Sequence, residues 1–407
     1  MNYLGIDIAK KNHRCTLIDG EGNVVRKGMS IVNTVDGFNE LLATMSELHV
    51  TPATVLIGFE ATGSLWENLY VFLKEHNFTV IVLNPYQTHK FHEALMKKAK
   101  TDSIDALVIA ELLRTKHYAA SFIPDETVQT LRDLTKLRYK LVQERKNYQR
   151  QALAILNLVF PEYSTTLLRH PFSKTSVKIL KKYPTARHLK RATVKQVRHL
   201  VHSIQGVTIS DAALQVLLDV AKKSSYSGRS HEGRGLVLSI VLDQIQTLEQ
   251  SIEQIKQQLS EILLPDTNSD TAPGRNLFSI PGAGLIGIAT VIGAVGLRGE
   301  AFPTGTQYIG HIGFYPHISE SGESRRKPVL ATKGPHHLRW IHYMLAVAAI
   351  KYNTDMRKLY LDKLSQGKNQ KNALIYISKK MAFLMLSMLK SGQNYHPERV
   401  FVSIANT

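Results

Sequence analysis

Cysteine is nearly missing from this 407-residue chain: Cys15 stands alone. That excludes an internal disulfide and a cysteine-based zinc knuckle, and fits a reducing compartment. Cys15 reads as a small core residue of an apparent strand. No long uncharged apolar run suits a membrane span, and the first residues enter a strand without the layout of a signal peptide. No membrane partner is expected, and the expected location is cytoplasmic. Acid is scarce as well. The 51 Lys+Arg face 33 Asp+Glu, for a net charge of +18 and a pI near 9.7. Residues 163–210 contain no Asp or Glu, yet hold Arg169, Lys174, Lys178, Lys181, Lys182, Arg187, Lys190, Arg191, Lys195 and Arg198. A one-signed stretch repels itself unless solvated or bound to an anion. A phosphate backbone relieves that repulsion and releases condensed counterions, which favours a nucleic-acid partner over an anionic membrane.

What is present is enough for a globular protein. Hydrophobic residues make up 43% of the chain, and the length calls for two or three domains. Residues 3–8, 13–18 and 24–29 alternate as strands, with Asp19-Gly20-Glu21-Gly22-Asn23 as a turn. A helix is predicted over 39–48, a strand over 54–59, a helix over 64–76 and a strand over 78–83. Three meandering strands followed by β-α-β units is the order of an α/β RNase H-like sheet, expected to end near Pro124.

The acids fall in telling places within that frame. Asp7 lies among apolar neighbours in the first strand, and Glu60 ends the 54–59 strand. Asp102 and Asp105, three apart, share one face at the start of a helix. A carboxylate in an apolar strand is unfavourable unless something pairs with it. Carboxylates converging at strand ends repel each other unless divalent cations neutralise them. Mg²⁺, or Mn²⁺ in its place, accepts such oxygen ligands, and a pair about 4 Å apart can serve a phosphoryl reaction. Taken singly, Asp102 also suits a helix N-cap, Asp105 a first-turn acid and Glu60 a loop.

Beyond the first domain, residues 131–160 form a long basic helical stretch. Leu238, Val241, Ile245, Leu248, Ile252, Ile255, Leu259 and Ile262 follow the alternating three-four spacing of a coiled coil, stopped by Pro265. Such a stripe serves intramolecular packing or an oligomer contact. Pro281-Gly282-Ala283-Gly284 before an apolar helix reads either as a helix-hairpin-helix turn offering N–H groups to phosphate or as a tight helix contact. Ser319-Glu320-Ser321-Gly322-Glu323-Ser324 followed by Arg325, Arg326, Lys327, Lys333 and Arg339 reads as a flexible loop beside phosphate ligands. A serine there is either a nucleophile or part of a polar turn.

GIDIAKK, GFEATG, LNP and KTDSIDA, followed by SIPGAG, GFYP and SESGES, stand in the order seen in transposases of the insertion sequence 110 family. The chain resembles that family and the related pilin-gene invertases. The resemblance implies a RuvC-like domain in which Asp7, Glu60, Asp102 and Asp105 are the DEDD metal ligands. It also implies a mainly α C-terminal domain with Ser321 as nucleophile, forming a transient phosphoserine bond with DNA; Ser319 and Ser324 are the near competitors. Implied partners are insertion-sequence ends and target DNA, a structured guide RNA in some members, and further copies of the chain in a dimer or tetramer. One copy's serine domain would then approach another's carboxylates. The domains expected are 1–124, RuvC-like; 125–165 and 232–265, an α-helical coiled-coil middle; 166–231, a basic insertion longer than in compact members; and 270–407, the serine domain. Nucleic-acid contacts are expected from Lys181, Lys182, Arg187, Lys190, Arg191, Arg325, Arg326, Lys327, Lys333 and Arg339. Alternatives are a RuvC-like junction endonuclease that hydrolyses with water and has no use for Ser321, and a non-catalytic binding relative. A sugar kinase or actin-like ATPase would need a second Gly-rich phosphate loop, and none is found.

Overall fold

The strands of the N-terminal third are rich in apolar residues, some alternating with polar ones and some in near-continuous runs, and so must bury at least one face. In the computed structural model of the chain, the described residues are 1–61, 63–94, 102–165, 168, 170–264, 274–317, 320–321, 324–325, 329–330 and 334–398. Residues 102–104, 316–317, 320–321, 324–325 and 329–330 are described by main chain alone. Arg169, Pro265, Ser319, Gly322, Glu323, Arg326, Lys327 and Lys333 lie outside the described residues.

The chain divides into two units, Met1–Pro124 and Asp125–Thr407. The first unit runs β1 (Asn2–Asp7), β2 (Asn12–Ile18), β3 (Val24–Val32), α1 (Val35–Glu47), β4 (Val55–Glu60), α2 (Glu67–Glu75), β5 (Thr79–Leu83), α3 (Pro85–Ala94) and α4 (Asp102–Thr115). Its sheet has the order β3-β2-β1-β4-β5. The β1–β2 and β2–β3 pairs are antiparallel, while β1–β4 and β4–β5 are parallel. Parallel pairing follows from the intervening helices, which carry the chain back to the starting edge. The Asp19 carboxylate accepts the backbone N–H groups of Glu21 and Asn23 at 2.9 and 2.8 Å and so tightens the β2–β3 turn. One sheet face buries Leu4, Ile6, Ile57 and Phe59 with Phe38, Leu41 and Met45 of α1. The other buries Tyr3, Ile18 and Leu83 with Ile109, Ala110 and Leu113 of α4. Cys15 is fully buried, and burial pushes its thiol well above the ordinary range, so it is an unreactive core residue.

The second unit runs α5 (Glu126–Val159), α6 (Lys174–Lys182), α7 (Ala186–Leu189), α8 (Val194–His202), α9 (Asp211–Lys223), α10 (His231–Leu263), α11 (Leu285–Val295), α12 (Gly305–Ile312), β6 (Pro316–His317), β7 (Glu320–Ser321), β8 (Ser324–Arg325), β9 (Val329–Leu330), α13 (His336–Tyr352), α14 (Thr354–Ser365) and α15 (Gln370–Ser391). Helix α5 starts where the Asp125 side chain accepts the Val128 N–H at 2.7 Å. Helices α5 and α10 pack along each other, and Arg145 meets Glu249 at 3.7 Å. Leu238, Val241, Ile245, Ile252, Ile255 and Leu259 are buried, as their spacing requires. The acid-free stretch is not an open basic tail. Val177, Ile179, Leu180, Leu189, Val197 and Val201 join Leu214, Leu217 and the facing ends of α5 and α10 in one core. Glu162 anchors this module by accepting bonds from the Ser224 and Ser225 hydroxyls at 2.5 and 2.8 Å.

Around α11 the helices approach closely because small residues allow it. A Cβ on Gly293 would stand 2.9 Å from the Arg132 nitrogen of α5, and one on Gly282 would stand 2.9 Å from the Ala348 carbonyl of α13. This supports the tight-contact reading at Gly282; a 3-10 turn (Arg275–Ser279) precedes α11 among the described residues. Helix α15 is apolar and long enough to cross a membrane, but 67% of its most apolar window is buried within the protein.

Between α12 and α13, Tyr308 and His342 are both fully buried and hydrogen-bonded at 2.8 Å. Burial holds the His342 imidazole down at about 3. His337 is held at about 4, by desolvation first and then by Lys136 and His311. An unfolded imidazole titrates near 6.5. The stability these neutral rings support is therefore complete above about pH 6.5 and is lost as the pH falls toward their folded values. Urea unfolding between pH 7 and pH 4 should show falling stability. A His342→Gln variant, which keeps an amide near Tyr308 but cannot titrate, should lose up to one proton of that dependence, about 1.4 kcal/mol per pH unit. An unchanged slope would remove His342 from the account.

Candidate active site at the ends of β1 and β4

Parallel register sets the centre of this site. Gly5 of β1 pairs with Gly58 of β4, and Ile6 with Phe59. Asp7 and Glu60 are the next residues and end their strands. Successive side chains alternate between faces, so Asp7 and Glu60 share the face of Gly5 and Gly58. That is the face covered by α4: a Cβ on Gly5 would lie 2.0 Å from the Ala106 carbonyl and 2.5 Å from the Ala110 nitrogen. A Cβ on Gly58 would meet the Leu113 side chain at 2.8 Å. Glycine at position 5 therefore lets the backbone of α4 rest directly on β1. Ala106 and Ala110 lie on Gly5, and the later Leu113 lies within the core formed with Tyr3, so α4 runs against β1. Its first residues, Asp102 and Asp105, are thereby brought to the strand end that carries Asp7 and Glu60.

Asp7, Glu60 and Asp105 are each half-buried, and the side chain of Asp102 lies outside the described residues. The Thr88 hydroxyl on α3 donates to the Glu60 carboxylate. It also lies 3.0 Å from the Pro85 carbonyl, and its single proton can serve only one of the two at a time. Arg14 stands opposite Asp7 on the β1–β2 ladder and shares its face. The buried His13 accepts the Ala9 N–H on Nδ1 at 3.2 Å, holding the turn that follows Asp7. Thr88 and Arg14 escaped the sequence reading, since a helix threonine and a strand arginine carry no signal until register and packing are known.

Among the described residues, no three His, Cys, Asp or Glu side chains are gathered closely enough to hold a metal ion. Glu60 and Asp105 have no Lys or Arg ion-pair partner among them either. The donor set is nonetheless all oxygen, which suits a hard divalent cation.

In the second unit, Ser321 is the last residue of β7. It pairs with Ser324 of β8, while Glu320 pairs with Arg325. Nearer the helices, Pro316 pairs with Leu330 and His317 with Val329. The segment expected as a flexible loop is thus built on short antiparallel pairs, with Ser321 at the outer one. Gly334, at φ +110, returns the chain against α12; a Cβ there would stand 2.7 Å from the His311 carbonyl. Of the expected nucleic-acid contacts, Lys181 and Lys182 end α6 and Arg339 lies on α13. Arg187 instead reaches His231, its Nη1 3.3 Å from the ring Nδ1. Lys190 and Arg191 follow α7 and are exposed.

Comparison with known proteins gives these positions a setting. Residues 4–161 match a family described as transposase, of the DEDD type of insertion sequence 110. Residues 274–361 match the transposase IS116/IS110/IS902 family. A 44.8 kDa protein of insertion element IS116 from Streptomyces clavuligerus is 22% identical over 397 residues, covering 97% of this chain and 96% of that protein. The pilin gene-inverting protein of Moraxella bovis is 27% identical over 174 residues, 41% of this chain and 51% of that one. A putative transposase of the IS117 mini-circle in Streptomyces coelicolor is 27% identical over 163 residues, 39% of this chain and 38% of that one. The two family matches together span more than half of the chain, and both belong to one kind of enzyme, a DNA transposase. The chain belongs to the insertion sequence 110 family. Its DEDD designation points to a divalent metal.

The packing at Gly5 is open to test. Gly5→Ala places a methyl against two backbone atoms of α4, an overpacking expected to cost about 3 kcal/mol or more. It should also shift Asp105 relative to Asp7. Denaturant melts and a DNA-joining assay should both show the defect, whereas Gly233→Ala, with no atom within 4 Å of the new methyl, should be silent. A fully active and stable Gly5→Ala protein would disprove the stacking of α4 on β1.

Proposed function

We propose that the first unit is an RNase H-like, RuvC-type catalytic domain, and that the chain cuts and rejoins insertion-sequence ends with metal-bound carboxylates and a serine nucleophile. The observation that carries this reading is the arrangement of Asp7 and Glu60 at neighbouring strand ends, on the face that α4 covers with Asp105 at its start. A β3-β2-β1-β4-β5 sheet with this pairing agrees with it. Asp7, Glu60, Asp102 and Asp105 would hold one or two Mg²⁺ ions, with Mn²⁺ a workable substitute. Such ions polarise a phosphodiester and favour loss of a proton from the attacking hydroxyl.

This chain's own groups do the rest. Thr88 orients Glu60, and Arg14 supplies a positive charge beside Asp7. The Ser321 Oγ attacks phosphorus, an Oγ–P ester forms, and the bond to the departing sugar oxygen breaks while that oxygen takes up a proton. A sugar hydroxyl of the partner strand then attacks the phosphoserine, restoring Ser321 and joining the strands. The exchange conserves the ester bond and needs no oxidant or cofactor beyond the metal.

The same reading assigns 125–165 and 232–265 to a coiled-coil pair, 166–231 to a basic insertion and 270–407 to the serine domain. It includes a structured guide RNA as partner and a dimer or tetramer in which one copy's serine approaches another's carboxylates. Arg325, Arg326, Lys327, Lys333 and Arg339 would hold phosphates near the serine.

The test is a DNA-joining assay with Mg²⁺, the element's end junction and co-purifying RNA, resolved on denaturing gels. Asp7→Ala and Ser321→Ala should each reduce joining by at least about a hundredfold, the scale on which losing a nucleophile or metal ligand acts. Only protein with an intact serine should form a covalent DNA adduct. A Ser321→Ala protein that still cleaves, beside an inactive Asp7→Ala, would make the chain a metal-dependent nuclease.

A further inference from the structure

The acid-free stretch folds so that one of its surfaces becomes a concave site. Lys174, Lys178, Lys181 and Lys182 follow the i, i+4, i+7, i+8 spacing of one helix face. The opposite face of α6, with Thr175, Val177, Ile179 and Leu180, is buried. The lysines line an open cleft of about 610 Å³, completed by Ser203 and Ile204 at the end of α8 and by Gln246 of α10. Two of the four are engaged within the protein. The Lys178 ammonium donates to the Ser203 hydroxyl at 2.6 Å, and Lys181 donates to the Gln246 carbonyl oxygen at 2.9 Å and pairs with Asp243. Lys174 and Lys182 are exposed and have no hydrogen-bond or ion-pair partner among the described residues. The cleft thus holds four like charges with one carboxylate, Asp243, against them.

We infer that this cleft, walled by α6, α8 and α10 and built from none of the carboxylates or serines assigned to the chemistry, seats the sugar-phosphate backbone of a DNA duplex. The arrangement supplies ammonium donors and small polar groups, Ser203 and Gln246, of the kind that hold phosphate oxygens and carry no base information. No lining residue is aromatic, so the cleft offers no platform on which the unpaired bases of a single strand would stack. The two bonded lysines are pre-positioned, and their apolar stems with Ile204 form the cleft wall. The inference rests on the transposase reading for the identity of the duplex as DNA. It does not depend on metal or serine chemistry.

The experiment measures binding of full-length protein, without divalent metal, to a duplex DNA of random sequence, a single strand of the same length and an RNA hairpin, across a salt series. The variant is Lys174→Gln/Lys182→Gln, which leaves the bonds of Lys178 and Lys181 in place; Lys174→Arg/Lys182→Arg is the charge-keeping control. The glutamine pair should weaken duplex DNA binding on the order of tenfold at low salt and reduce the salt slope by about 2. The arginine pair should bind like the unaltered protein. Equal binding by all three proteins overturns the inference, as does a loss confined to the RNA hairpin or the single strand. Because the readout is binding without metal, it fails separately from the joining assay: inactive Ser321→Ala or Asp7→Ala proteins should still bind through the cleft.

Discussion

The first unit depends on one close approach, the backbone of α4 lying on β1 where Gly5 has no side chain. Nearly every other feature of that end follows from it. A larger residue would lift α4, open the core formed by Tyr3, Ile18, Ile109 and Leu113, and move Asp105 from the strand end that holds Asp7 and Glu60. Close packing of this kind transmits strain because a protein interior has little free volume. Stability and site geometry are thus set by the same contact, and neither can drift without the other.

The second unit solves a different problem, how to stabilise a strongly basic chain. The main answer is to bury apolar faces and leave most of the charge outside, Lys380 being buried. Helix α6 shows it most clearly, with lysines on one side and Val177, Ile179 and Leu180 in a core shared with α9, α10 and the end of α5. Repulsion among the lysines is tolerated because they are exposed to water and ions. What would be a liability in a buried position becomes an anion-attracting surface on a rigid support.

Much of this was legible in the sequence, and the reasons are specific. The first strands of the first unit are visible through their period of two and the later ones as short apolar runs, whereas the shared face of Asp7 and Glu60 emerges only from the parallel register of β1 and β4. The stripe from Leu238 to Leu259 announced the buried side of α10. Residues 166–231 stand out in the sequence mainly through their charge, which hides the weaker signal of the apolar positions interleaved with the lysines of α6 and α8. Thr88 was invisible because its partner Glu60 is distant in sequence and meets it only through parallel pairing of β4 and β5. The short pairs around Ser321 look like loop in the sequence because two-residue strands carry no periodic signal. Pro281-Gly282-Ala283-Gly284 is ambiguous for a related reason: small residues serve a phosphate or a neighbouring helix equally well, and the contact of Gly282 with Ala348 on α13 accounts for only one of its glycines.

The length of α5 has a geometric consequence. Near its start Arg132 donates to the Gly293 carbonyl of α11 at 2.8 Å, and near its end Leu156 is buried with the α6–α9 module. Between those two points an α-helix rises about 36 Å, close to one turn of a DNA duplex at about 34 Å. Helix α10 packs along it, so the two ends of α5 are joined by a paired helical span and not by a single exposed helix.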